Sequence, residues 1–215
     1  MISYFDRMKS TIGTRAIAAI LFYAFAVRSY GMVYGLPYSY GAEWRPIGYA
    51  KKILITGDFN PHWFGWPGAV TNYLLSFLYA TILNVYALIS GQFFSLLNPR
   101  EIILNNPEFW QNPFIWSITA RVLMFSFSLG SIYLTYRLAK KLFNRVVGIL
   151  SAFILSAAPL HINQTWQVRP DMPSTMFILL SLFFLIYFIE VPTRTRYLIL
   201  SALAAGIATS EKYPA

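Results

Sequence analysis

The sequence predicts an all-α fold, a polytopic transmembrane helical bundle, and three observations support this prediction. Hydrophobic residues make up 57% of the 215 positions and only 12% are charged, whereas soluble domains carry about 25% charged residues. Aromatic residues reach 18%, which suits helices that meet lipid and headgroups. The net charge of +9 is gathered in short basic groups between apolar runs, a pattern typical of membrane topology signals and not of nucleic-acid binding.

Five apolar runs are each predicted to form a helix of this bundle, since a spanning helix needs about 20 mostly apolar residues. The basic residues Arg7, Lys9 and Arg15 precede the first run and predict a cytoplasmic N-terminus. A secretory signal peptide is the alternative for that run, but no small-residue cleavage pattern follows it. The predicted helices lie near 16–34, 114–139, 146–163, 172–191 and 197–209.

The basic clusters at 137–145 and 194–196 are both predicted to be cytoplasmic. The two runs between them then form a hairpin with an external tip, and the run from 114 must enter from outside. The apolar segment 67–97 therefore cannot make one simple crossing. Its internal polar residues favour an interfacial or re-entrant element within a long external loop, 35–113. A true span with inverted basic loops is the alternative.

The external loop contains a predicted amphipathic helix that lies on the membrane. Pro46 suits the first turn of a helix, Gly57 suits its C-cap, and apolar residues between 47 and 54 share one face. This helix would hold Glu43 at the water boundary, although Glu43 taken alone reads as an ordinary loop carboxylate.

Two further external segments carry unusual charges. Asp171 stands where a helix is expected to begin, beside Arg169. An N-cap role explains Asp171, but a carboxylate beside an arginine at membrane level also predicts a functional site. Lys212 follows the last predicted helix, where a lysine often only extends toward the headgroups.

Several other kinds of site have little support in the sequence. There are no cysteines, so neither a disulfide nor a Cys-metal framework exists. His62 and His161 are isolated and lack metal-ligand spacing. No phosphate-binding loop, dinucleotide fingerprint or serine nucleophile elbow is present.

The three external segments, in this order, resemble the GT-C superfamily of integral-membrane glycosyltransferases. The resemblance is to the branch of protein O-mannosyltransferases and lipid A aminoarabinose transferases, glycosyltransferase family 39. Members of that branch have an arginine ending the first helix, an acidic pair in the first external loop, and then a helix and a Gly-Asp-x-x-Pro turn. The matching positions here are Arg28, Tyr30-Gly31, Glu43, Ala50, Gly57-Asp58-Phe59-Asn60-Pro61-His62-Trp63-Phe64, Arg169-Pro170-Asp171-Met172-Pro173 and Gly206–Pro214.

The resemblance implies transfer of a sugar, with inversion, from a polyprenyl-phosphate carrier to a lipid, glycan or protein acceptor. The reaction is expected on the external face of the plasma (inner) membrane, in the cell envelope. Glu43 is the first candidate for the catalytic base, with Asp171 as its partner or substitute. The candidate substrate-binding residues are Arg169, Lys212, Arg28, Asp58 and His62.

A divalent metal between Glu43 and Asp171 is left open by the resemblance, because some relatives elsewhere in the superfamily use one. Two carboxylates are too few ligands to predict it. Glu43 and Asp171 are predicted to face one shared cavity at the external membrane boundary. Their carboxylates are predicted to lie within about 10–15 Å, a span that a sugar or a hydrated metal bridges.

One departure from the family matters, because the acidic pair is normally Asp-Glu and this chain has Ala42-Glu43. Either Glu43 acts from a shifted position or the chain is a catalytically impaired relative. Residues 1–215 are expected to be the N-terminal part of a GT-C module with further helices beyond. The alternative from another class is a transporter or flippase, although no internal repeat supports it.

Overall fold

The computed structural model describes residues 4–36, 43–60, 62 and 68–212, with the side chains of the first helix described from Gly13 onwards. Helices dominate this part of the chain and it contains no strand, so the predicted all-α fold is confirmed. The helices are α1 (Tyr4–Tyr30), α2 (Trp44–Thr56), α3 (Ala69–Ile89), α4 (Pro99–Asn105), α5 (Pro107–Gln111), α6 (Pro113–Leu142), α7 (Arg145–Ala157), α8 (Pro159–Thr165), α9 (Asp171–Glu190) and α10 (Arg196–Glu211).

Local capping signals explain where several helices begin and end. Gly57 closes α2 with φ 70° and donates its backbone N–H to the Ile53 carbonyl, as the sequence predicts for a glycine C-cap. Asn112 and Asn144 accept backbone hydrogen bonds at the starts of α6 and α7, the usual role of an N-cap asparagine. Asp171 differs from the N-cap expectation: it is the first residue of α9 and makes no capping bond, because its carboxylate pairs elsewhere.

The helix predicted over 146–163 is broken in two. Helices α7 and α8 meet at Ala158 with a bend of 61°. Pro159 lacks the N–H that would continue the helical ladder, which explains a break at this place. The bend turns α8 across the bundle and carries the chain into the link before α9.

The long helices alternate in direction, which gives the bundle two distinct ends. Helices α9 and α10 are antiparallel, because Ser201 donates to the Ser181 carbonyl and Ser174 donates to the Ala208 carbonyl. We call the end where α1 and α10 finish and α6 and α9 begin the site end. We call the opposite end, where Lys141 of α6 pairs with Glu190 of α9, the basic end.

The segment predicted at 67–97 contains the unbroken helix α3 and a short 3-10 turn, Phe93–Ser95. The Tyr79 hydroxyl donates to the Trp116 carbonyl at 2.8 Å, near the start of α6. Helix α3 shares its core with α2, α4, α5 and the first part of α6, all at the site end. These partners agree with an interfacial placement, which stays a prediction.

The outer surface of the bundle is strongly apolar. Among the described residues, α3, α6 and α9 are each long and apolar enough to cross a membrane, and the bent α7–α8 pair makes a fourth candidate. Phe77, Ile178 and Ile189 are among the large apolar side chains exposed on these helices. Such a continuous apolar surface is what lipid contact requires. The segments predicted near 16–34 and 197–209 correspond to α1 and α10, and their crossing of the membrane stays a prediction.

Candidate active site

Glu43 lies fully buried immediately before α2. Its carboxylate accepts two hydrogen bonds from Arg121 of α6, from Nη2 at 2.9 Å and from Nε at 3.2 Å. The backbone N–H of Val168 donates a third bond to Oε1 at 3.1 Å. Glu43 is therefore held between the first part of α6 and the link that leads into α9.

Arg121 is a site residue that the sequence interpretation missed. Besides Glu43, its Nη1 donates to the carbonyls of Met32 and Tyr34 at 3.0 and 2.6 Å. Arg121 thus joins the turn after α1, the start of α2 and α6. A lone arginine inside an otherwise uncharged apolar run is the signal that could have identified it, because such a charge needs a partner.

Asp171 and Lys212, both predicted site residues, form an ion pair. The Lys212 ammonium donates to Asp171 Oδ1 at 2.6 Å. The Lys212 side chain is 53% exposed and the Asp171 side chain is 28% exposed. The antiparallel register explains this contact. Ser181 lies beside Ser201 and Ser174 beside Ala208, and the same pairing continued outward sets the start of α9 against the end of α10. Lys212 therefore does more than extend toward the headgroups.

Glu211 is a second residue that the sequence interpretation missed. Its carboxylate is fully buried and accepts from the Thr71 backbone N–H at 2.5 Å and from the Thr71 hydroxyl at 2.6 Å. Thr71 lies in the first turn of α3, where unpaired backbone N–H groups favour an anion. Glu211 fixes α3 to the end of α10, directly beside Lys212.

The link between α8 and α9 brings these contacts together. A Cβ added at Gly68, just before α3, would lie 3.7 Å from Pro170 Cβ and 3.8 Å from Glu211 Oε2. The same short link donates to Glu43 through Val168 and begins α9 at Asp171. Three segments that are distant in sequence therefore meet at the site end. The 10–15 Å separation of the carboxylates stays a prediction.

The end of α8 and the link also contain buried polar atoms that have no hydrogen-bond partner among the described residues. They are Gln164 Oε1 in α8, and Gln167 Oε1 and Arg169 Nε in the link. Gln167 lines a pocket together with Trp166, Tyr34 and Arg121. Buried polar groups are normally satisfied, so this segment offers one donor and two acceptors beside the ion pairs.

The comparison with known families gives a match over 101 residues at the end of the chain. Residues 115–215 match the family model described as dolichyl-phosphate-mannose-protein mannosyltransferase. Over this range the chain is similar to the GT-C glycosyltransferases. The matched range contains Arg121, Arg169, Asp171, Glu211 and Lys212, whereas Glu43 precedes it. No curated protein and no solved structure matches the chain.

Arg28 lies apart from the Asp171–Lys212 pair. Its guanidinium is fully buried and donates to the Ser128 hydroxyl, the Ser156 carbonyl and His161 Nδ1 at 2.9, 3.0 and 2.9 Å. These partners belong to α6, α7 and α8, so in this structure Arg28 cross-links four helices. A phosphate contact by Arg28 stays a prediction, and none of its described bonds reaches Asp171 or Lys212.

Asp58 and His62 form an exposed pair in the turn after α2. His62 Nε2 lies 2.6 Å from Asp58 Oδ2, and the Asn60 backbone N–H donates to Asp58 Oδ1 at 2.9 Å. The hydrogen bond with His62, followed by that from Asn60, lowers the pKa of Asp58. Tyr73 of α3 donates its hydroxyl to the Phe59 carbonyl, which places this turn beside the start of α3.

Some residues named from the sequence cannot be located in this arrangement. Ala42, Pro61, Trp63, Phe64, Tyr213 and Pro214 lie outside the described residues. Within the described part of the chain, no group of three or more His, Cys, Asp and Glu residues is arranged to hold a metal ion. The described site residues supply carboxylates and cations, which suit acid–base and electrostatic chemistry.

Proposed function

We propose that this protein is a GT-C glycosyltransferase that transfers a sugar from a polyprenyl-phosphate carrier to an acceptor hydroxyl on the external face of the membrane, with inversion. The observation that carries the proposal is the Asp171–Lys212 pair. It sets a carboxylate and an ammonium group, both accessible, at one end of the bundle and inside the range that matches a mannosyltransferase family. The donor and the acceptor face come from the family resemblance.

Accessibility favours Asp171 over Glu43 as the proton acceptor. Glu43 is fully enclosed and both of its oxygens accept from Arg121, so an acceptor hydroxyl has no route to it in this structure. Asp171 is partly exposed. We infer that Glu43 positions the link at Val168, while Asp171 takes the proton.

The proposed reaction balances without an additional reactant. The acceptor hydroxyl oxygen attacks the anomeric carbon as its proton moves to Asp171, and the bond from that carbon to the phosphate oxygen breaks. The polyprenyl phosphate leaves with the electron pair, and cations offset the charge that develops on it. Lys212, which is exposed, and Arg169, which is partly exposed, are the proposed phosphate contacts. A phosphate that binds Lys212 would also release Asp171 from its ion pair.

An activity assay on the full-length protein, with a panel of polyprenyl-phosphate sugars, tests this assignment. Asp171→Asn is expected to lower turnover by about 10²–10⁴-fold with little change in donor binding, because it removes the base. Lys212→Met is expected mainly to weaken donor binding. The matched control is Glu190→Gln, because Glu190 also lies on α9 and also pairs with a lysine, but at the basic end.

The competing interpretations predict different results. A loss with Glu43→Gln that equals the loss with Asp171→Asn, in variants of unchanged thermal stability, would return the role of base to Glu43. An inactive wild type that gains activity with Ala42→Asp would identify an impaired relative. Inactivity of both forms with every donor would favour the transporter interpretation.

A further inference from the structure

A second cluster of charges lies at the basic end, far from the candidate active site. It is an open pocket between α1, α6 and α9 whose lining includes Thr14, Tyr136, Arg137, Lys140, Lys141 and Tyr187. Arg137 lies 16 residues beyond Arg121 on α6, so about 24 Å of helix separates the pocket from the site. The proposed glycosyl transfer does not use these residues.

The pocket holds more positive charge than its described neighbours neutralise. Arg137, Lys140 and Lys141 stand at i, i+3 and i+4 on α6, a spacing that places them on one helix face. Among the described side chains one carboxylate reaches them, that of Glu190, which accepts from Lys141 Nζ at 2.5 Å. Two of the three cations are thus left with no anionic partner in the described part of the chain, and a bound anion would relieve their repulsion.

Aromatic rings fix the positions of these cations. The Lys141 ammonium lies 3.9 Å from the ring centre of Tyr187, and the Arg137 guanidinium lies 5.3 Å from that of Phe183 while donating to the Tyr133 hydroxyl. Charged groups that lie over aromatic rings in this way are held there by cation–π attraction. Tyrosines are also the residues expected at headgroup level.

Topology signalling alone does not account for this arrangement. Arg194 and Arg196, beside the turn between α9 and α10, are exposed and do not line this pocket. They carry the same kind of charge at the same end of the bundle. The cations of α6 differ from them because they converge with tyrosines from α6 and α9 on one concave surface.

We propose that this pocket binds the phosphate of an anionic membrane lipid. The pocket lies where the apolar lengths of α6 and α9 end, at the depth of lipid headgroups, and basic pockets between helices at the cytoplasmic side are suited to such headgroups. The lipid would bridge α1, α6 and α9 at the basic end. This proposal is independent of the transferase function.

Lipid titration of the full chain in a neutral detergent, followed by native mass spectrometry, tests the proposal. Wild type is expected to bind phosphatidylglycerol in preference to phosphatidylcholine. Arg137→Gln/Lys140→Gln is expected to weaken phosphatidylglycerol binding about 25-fold, because each cation near a phosphate contributes about fivefold. The matched control, Arg194→Gln/Arg196→Gln, removes the same charge at the same end and is expected to change binding less than about twofold.

A further pair of variants guards against misfolding of the double variant. Lys140 is exposed, so Lys140→Gln alone is expected to fold and to lose about fivefold in binding, while Lys140→Arg keeps the affinity. Equal losses in the pocket and control variants would overturn the proposal, as would the absence of any preference for phosphatidylglycerol. Displacement of the lipid by inorganic phosphate at the same concentration would assign the pocket to free phosphate instead.

Discussion

At the residue scale, the most consequential contact is the buried pair of Arg121 and Glu43. Both side chains are almost completely enclosed, at 2% and 0% exposure. The free energy needed to remove two charges from water offsets much of the free energy gained from their attraction. Such a pair is therefore good evidence for which segments must meet and weak evidence for net stability. Here it connects α6, the start of α2 and the link before α9.

The first prediction concerns the loss of one member of this pair. Arg121→Met is expected to destabilise the protein by about 3–5 kcal/mol, because it leaves the Glu43 carboxylate buried without its cation. The measurement is the apparent free energy of unfolding in detergent. The control is Arg121→Met/Glu43→Gln, which removes both charges and is expected to recover part of the loss. A single variant as stable as wild type would contradict the role given to Arg121.

At the scale of elements, close helix contacts decide how the bundle is assembled. Gly148 of α7 faces α6 so closely that an added Cβ would lie 2.9 Å from the Tyr136 carbonyl oxygen and 3.0 Å from the Lys140 backbone nitrogen. These obstacles are backbone atoms that cannot rotate away. The approach of α7 to α6 thus depends on the absence of a side chain at this position.

The second prediction compares two glycines that both lie within helices. Gly148→Ala is expected to destabilise by about 1–3 kcal/mol through overpacking of backbone against backbone. A Cβ at Gly206 of α10 would meet nothing within 4 Å, so Gly206→Ala is expected to stabilise by about 0.5–1 kcal/mol through helix propensity. Apparent melting temperatures that shift in the same direction for both variants would argue against the close crossing of α6 and α7.

At the scale of the whole molecule, the alternating helices give the chain its two faces. Helix α1 finishes at the site end and α6 begins there, because Arg121 of α6 donates to carbonyls just after α1. The segment between these helices therefore leaves and returns at one end of the bundle. The basic clusters lie at the other end, and the positive-inside rule predicts that this end is cytoplasmic.

The third prediction tests this orientation. The chain contains no cysteine, so Asn60→Cys and Asn144→Cys each introduce a single thiol at an exposed position. An impermeant thiol reagent is expected to label the two variants from opposite sides of sealed vesicles, with Asn144→Cys accessible from the cytoplasmic side. Labelling of both variants from one side would contradict the topology.

Much of the fold was predictable because its signals are local. The apolar runs, the basic clusters and the glycine at 57 predict helices close to those observed, and the resemblance to the GT-C glycosyltransferases is confirmed by the match over 115–215. The sequence prediction lacks the break at Ala158, although Pro159 marks it, because the run at 146–163 is mostly apolar. It also lacks Arg121, because this charge lies inside an apolar run and its partner is distant in sequence.

The sequence by itself determined which residues carry charge and on which helix ends they stand, because composition, periodicity and capping act over a few neighbouring positions. Only the tertiary structure decided their partners. Glu43 and Arg121 are 78 residues apart, and Asp171 and Lys212 are 41 apart. Glu211 and Lys212 are neighbours, yet one is buried against Thr71 and the other meets Asp171. Glu211 is the last residue of α10 and Lys212 follows it in an extended conformation, so the packing of α3 and α9 against the end of α10 gives these two neighbours different partners.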